Sequence, residues 1–132
     1  MEDYLKHAIE LVKAQASVRI MSEDEIAAAI LPLTKWAGFI TPARTPKANL
    51  DAPPVFIAVT APVQAGDSVL ADAGAAIQSM QLAAWDAGLG CCWIGSVERE
   101  ETARLLQLPP DQKILYLVAV GYPAETPVAE DK

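Results

Sequence analysis

Histidine occurs once in this chain, at His7, and cysteine only as the adjacent pair Cys91 and Cys92. So few soft ligands argue against a metal centre, and we expect none, with His7 facing solvent. Neighbouring residues on a strand point to opposite faces, so a bond between the two cysteines would distort the backbone. Both are expected to be reduced, buried small residues, with a vicinal-thiol redox or metal site as the alternative reading. Positive charge is also scarce: 10 lysines and arginines face 17 aspartates and glutamates, for a net charge of -7. The basic residues are scattered, which argues against nucleic acid and anionic membrane as partners. No apolar run approaches the roughly 18 residues that a membrane-spanning helix needs. The opening MEDYLKHAIE lacks the basic-then-apolar layout of a signal peptide. The expected location is the cytoplasm. Internal repeats and low-complexity tracts are absent as well.

What is present is apolar. Of 132 residues, 52% are hydrophobic and 20% charged, a composition that folds rather than staying disordered. The length suits one domain, expected over residues 1–125, with a polar tail at 126–132. The chain is organised around DAGAAIQSMQLAAWDAGLGCCWIGS, from Asp72 to Ser96. No lysine, arginine or glutamate occurs between Asp72 and Ala87, and Ala73, Gly74, Ala75, Ala76, Ala83 and Ala84 keep one face thin. This predicts a buried helix. Gly88 is placed to end it in a left-handed C-cap, and Cys91 to Ile94 reads as a short core strand.

Upstream, Leu5, Ala8, Ile9, Leu11, Val12 and Ala16 fall at helical spacing, and SVRIM at 17–21 alternates like a short strand. Ser22 with Glu25 forms a capping-box pattern, predicting a helix that carries Ile26, Ala29, Ile30 and Leu33 inward and is distorted by Pro32. The segment from Leu33 to Pro54 is irregular yet holds Trp36, Phe39, Ile40 and Leu50, so it is expected to be a loop lying on a core, or else a lid or partner-contacting arm. VFIAVT at 55–60 and ILYLVAV at 114–120 are nearly continuous apolar runs, the pattern of central strands covered on both faces. Asp67 or Ser68 is available to cap the long helix. VEREETARLLQL at 97–108 predicts a surface helix with Leu105, Leu106 and Leu108 inward, ended by Pro109 and Pro110. Helices alternating with about four strands indicate a three-layer α/β or α+β arrangement.

Catalytic constellations are hard to find. Asp72 is explained by a cap or first-turn role. The glycines of GLGCCWIG close a helix and open a strand, the reverse of a dinucleotide fingerprint, so that match is discarded. Resemblance takes the reading further. The stretch DAGAAIQSMQLAAWDAGLGCCWIGSVEREETARLLQLPPDQKILYLVAVGYPAE resembles the C-terminal half of the nitroreductase family of FMN-dependent oxidoreductases. The shared order is an acid and glycine opening a small-residue helix, a glutamine, a GLG turn, a CWIG strand, an acidic helix ending in LxLP, and a strand closing on GYP. Upstream, KWAGFI and APPVFIAV resemble the same family, and the likeness covers roughly Ser22 to Glu125.

That resemblance implies an α+β fold, a three-layer α/β/α sandwich with a mixed, mainly antiparallel sheet. It also implies a homodimer with FMN at the interface, NAD(P)H as reductant and a small organic acceptor such as a nitroaromatic or quinone. Matched residue by residue, Ile94, Gly95 and Ser96 would present backbone groups to the flavin ring, and Gly95 would let the backbone come close to a flat ligand. Trp93 reads as core packing. The family's N-terminal RRSxR motif, whose basic side chains hold the FMN phosphate, has no full counterpart here, so the chain reads as an N-terminally shortened member. Ser17-Val18-Arg19 resembles part of that motif and makes Arg19 the candidate phosphate ligand, with Arg44 and Lys47 as others. The basic residue that follows GYP in the family is absent too. The alternative is a degenerate member without tight FMN binding, serving as a dimerising or ligand-binding module.

Overall fold

The computed structural model describes residues 17–21, 24–35 and 53–124. The expected first helix, His7, most of the irregular segment after Lys35, Arg44, Lys47 and the polar tail lie outside the described residues. Within them, the elements are β1 (Ser17–Met21), α1 (Asp24–Ile30), a 3-10 turn (Leu31–Leu33), β2 (Val55–Pro62), α2 (Ser68–Asp86), β3 (Gly90–Ile94), α3 (Arg99–Leu105) and β4 (Gln112–Gly121). Pro32 sits in the 3-10 turn, where its missing N–H ends the α-helical ladder as its position suggested.

The four strands form one sheet in the order β1-β2-β4-β3, with every described pairing antiparallel. The two continuous apolar runs take the centre, because only a central strand has helices available on both faces. Phe56, Ala58, Ile114, Leu117 and Ile94 meet Ile30, Leu31 and Leu106 on one face. Val59, Ala61, Leu115 and Val118 meet Ala73, Ile77 and Met80 of α2 on the other. Helices on both faces of a sheet make the three layers of an α+β sandwich.

Two expectations need correction. The long helix is half-buried: Ala73, Ile77, Met80 and Ala84 form its inward stripe, whereas Leu82 is 63% exposed and Trp85 64%. One sheet face can cover only one side of a helix, and these apolar side chains lie on the other. Nor is β3 a core strand; among the described residues it pairs with β4 alone, and Cys92 and Trp93 are exposed. Smaller differences follow. The helix starts at Ser68, so Asp72 lies beyond its first turn, and Asp67 at the N-cap makes no side-chain cap bond. Leu105 is 38% exposed, while Thr102 of the same helix is buried.

The C-terminal stop of α2 agrees with its sequence. The Gly88 amide donates to Trp85 O at 3.0 Å and the Leu89 amide to Ala84 O at 2.8 Å, closing a Schellman motif around Gly88 at φ 72°. Helix α3 closes the same way before its prolines, with Gln107 in the left-handed position at φ 50°. A side chain in that conformation costs about 1–2 kcal/mol. Gly88→Ala is therefore expected to lower unfolding free energy by about 1 kcal/mol in urea titrations, and an unchanged midpoint would contradict the assignment.

Candidate functional site

The pairing of β3 with β4 ends at Ile94 opposite Leu117. Ile94 turns its side chain into the core, 6% exposed, so only its main chain faces the strand edge. Beyond it the chain leaves the sheet through Gly95 and Ser96, both exposed, and returns to cover at buried Val97. Their carbonyls are taken: Gly95 O accepts from Arg99 Nη2 at 3.0 Å, and Ser96 O accepts from the Lys35 amide at 3.0 Å. The Glu98 amide donates to Leu33 O at 2.9 Å, and Thr34 bridges Val97. Among the described residues, the Gly95 and Ser96 amides have no acceptor. The carbonyls are tied to the chain itself while the residues that carry the N–H groups are exposed.

The surroundings suit a flat ligand. A Cβ placed on Gly95 would lie 3.8 Å from two ring atoms of Tyr116, ordinary contact, and its φ is not in the left-handed region. Among the described residues nothing requires glycine there, and its missing side chain leaves room for a ligand to approach the backbone closely. Trp93 stands beside this edge, its ring edge-on to Tyr116 at 5.1 Å and its far carbon 3.5 Å from where a Cβ on Gly74 would be. It is 39% exposed, so the core-packing reading holds for only part of the ring.

Arg19 is not beside this edge. It sits on β1 opposite Ala58, which pairs with Leu117, which in turn pairs with Ile94. The row thus runs from Arg19 to Ile94 across the whole sheet, about 14 Å at three strand spacings. The basic side chains that the structure describes are all engaged. Lys35 pairs with Glu98 at 3.3 Å, Arg104 with Glu101, and Lys113 donates to Val63 O and Ala65 O, both at 3.2 Å. The N–H groups of Gly95 and Ser96, without an acceptor among the described residues, are of the kind that could donate to a flavin ring, whereas a phosphate would need cations other than the described ones.

A separate open cavity of about 410 Å³ lies at the other end of the same strand pair, lined by Pro53, Pro54, Gly90, Cys92, Gly121 and Tyr122 among others. None of its described lining residues is charged. Cys91 and Cys92 are free thiols, one half-buried and one exposed, as alternation along a strand requires. Burial, and secondarily the neighbouring Cys92, pushes the Cys91 thiol up.

Sequence reasoning missed Arg99 and Lys35, which hold the two carbonyls. The available signal was an arginine directly ahead of two glutamates at a helix start, where a cation opposes the helix dipole.

The three-layer sandwich around an antiparallel sheet is the architecture of a nitroreductase. It superposes on an FMN-dependent nitroreductase from Clostridium difficile R20291 with a TM-score of 0.76 and 18% identity, covering 99% of this chain and 81% of that one. The NADPH:FMN oxidoreductase from Vibrio harveyi complexed with NAD+ gives 0.72 at 18% identity, with 100% and 64% covered. At these identities the likeness establishes the fold. The Nitroreductase family model matches residues 2–122, and the chain belongs to that family. An FMN reductase (NADPH) from Bacillus subtilis (strain 168) is 42% identical over 57 residues, 42% of this chain and 23% of that relative. The match thus spans under a quarter of the relative's length. No described helix is long and apolar enough to cross a membrane.

With thiolate as the reactive form, Cys92 is expected to react with a disulfide reagent several-fold faster than Cys91 at mildly alkaline pH. Peptide mapping of a partly modified sample measures this, and preferential labelling of Cys91 would contradict the placement.

Proposed function

We propose that this chain forms a flavin-dependent oxidoreductase that lays FMN against the Gly95–Ser96 edge and passes reducing equivalents from NAD(P)H to a small organic acceptor such as a nitroaromatic or a quinone. The single observation that carries this reading is the pair of exposed amides that meet no acceptor among the described residues, at a position where none of those residues requires glycine. Bound there, FMN would supply hydride acceptance and release. The chain's own part is to orient and to polarise: the Gly95 and Ser96 amides donate toward the ring, and Ile94 anchors them by burial. Trp93 offers an apolar wall on the same edge.

Two copies of the chain would build the site together. Leu70, Leu82 and Trp85 leave an apolar surface on α2, which supports a twofold partner. The phosphate would then fall to Arg19, Arg44 or Lys47, from either copy. A second reading is favoured by the engagement of every basic side chain the structure describes. It is a family member without tight FMN binding, acting as a dimerising or ligand-binding module.

Flavin titration separates the two. The purified chain is expected to quench FMN fluorescence on binding, and NAD(P)H to bleach the yellow complex. A colourless protein that takes up no FMN would support the second reading. Gly95→Leu is expected to weaken FMN binding by at least about tenfold, roughly 1.4 kcal/mol, with the circular dichroism spectrum retained. Gly95→Ala serves as the fold control. Unchanged affinity in Gly95→Leu would refute the site.

A further inference from the structure

We infer that Arg99 is a positioning residue for the flavin: it pins the Gly95–Ser96 peptide so that the Ser96 N–H is held outward as a donor. This rests on the FMN reading above. Its geometry stands on the chain alone.

Three observations converge on Arg99. First, the β2–β4 register shifts between Val59 and Thr60, with Tyr116 opposite Val59 and Ile114 opposite Thr60, which leaves Leu115 as the extra residue of a bulge. Second, β3 stops pairing at Leu117, so Gly95 and Ser96 run beyond the last rung of the ladder. A chain leaving a sheet there would ordinarily be free to turn its peptides either way. Third, Arg99 Nη2 donates to Gly95 O at 3.0 Å and to Leu115 O at 3.2 Å, bridging the departing chain to the bulge.

The consequence follows from peptide planarity. The carbonyl of Gly95 and the N–H of Ser96 belong to one trans peptide unit and point in opposite directions. Holding the oxygen against Arg99 therefore holds the Ser96 N–H on the opposite side of the peptide, where it meets no acceptor among the described residues. The backbone amide of Lys35 fixes the next peptide through Ser96 O in the same manner. A charged donor makes the stronger of these bonds.

The placement of Arg99 has no adequate explanation within its own helix. It opens α3, where a cation opposes the helix dipole, and Glu100 and Glu101 follow it. Glu101 pairs with Arg104 and Glu98 with Lys35, while Arg99 makes no ion pair among the described residues. Its guanidinium is committed to two main-chain oxygens.

The test compares the wild-type chain with Arg99→Met and Arg99→Lys, each checked for fold by circular dichroism. In FMN-free protein, heteronuclear relaxation is expected to show an ordered Ser96 amide in the wild type, a mobile one in Arg99→Met, and partial recovery in Arg99→Lys. An equally ordered Ser96 amide in Arg99→Met would overturn the clamp. With FMN added, Arg99→Met is expected to bind about fivefold to tenfold more weakly, because the Ser96 amide must then be ordered on binding, and to shift the midpoint potential of the bound flavin. Wild-type binding with neither change in Arg99→Met would overturn the positioning role. Failure of the wild type itself to bind FMN would defeat the flavin reading and with it the role assigned to Arg99, and the relaxation result would show separately whether the peptide is clamped. Should Arg99→Met disturb the fold, Arg99→Gln, which removes the charge and shortens the donor, carries the same comparisons.

Discussion

The antiparallel pairing of β2 with β4 is the constraint on which the rest depends. Both strands are apolar on both faces, so neither can sit at a solvent-facing edge, and their mutual pairing obliges helices to cover the sheet above and below. Helix α2 takes one face with a stripe of small and medium side chains, and α1, the 3-10 turn and α3 take the other. The remaining strands fall to the edges. β3 thereby becomes an edge strand whose exit, at Gly95 and Ser96, opens to the outside instead of into a core.

From that placement the chemistry of the edge follows. A strand leaving a sheet normally gives up its hydrogen bonds to water, and its peptides lose their orientation. Here the carbonyl side is tied by Arg99 and by the Lys35 amide, and the donor side is left open. Of these donors the Ser96 N–H shares its peptide with the tied Gly95 carbonyl, and a donor fixed in advance needs no reorganisation when charge arrives. The bulge at Leu115 contributes by offering a carbonyl to the same arginine. The half-exposed Trp93 gives this edge an apolar neighbour.

Much of this was legible in the sequence, for definite reasons. Strands β2 and β4 announced themselves by continuous apolar runs, and the stop of α2 by Gly88, whose left-handed conformation only a few residue types tolerate. The GLGCCWIG string and its neighbours carried the family resemblance, so Ile94, Gly95 and Ser96 could be named before any geometry was known. Apolar character did not reveal which side of a slim helix would be covered, nor that CCWI would lie at an edge, because hydrophobic content does not distinguish a core from an interface. The position of Arg19 was equally hidden: a tripeptide likeness says nothing of which strand lies next to which, and the sheet order puts it across the layer from Ile94. Arg99 escaped notice because its partners are main-chain oxygens, which no side-chain pattern records.

The central claim is that the outward N–H edge at Gly95 and Ser96 receives a flavin. Titrating FMN into the isotopically labelled chain, with backbone amide resonances followed in solution, tests it most directly. The account predicts that the largest shifts fall on Gly95 and Ser96. Shifts concentrated instead at Gly90, Cys92, Gly121 and Tyr122, around the cavity at the other end of the strands, or no shift at any amide, would contradict it.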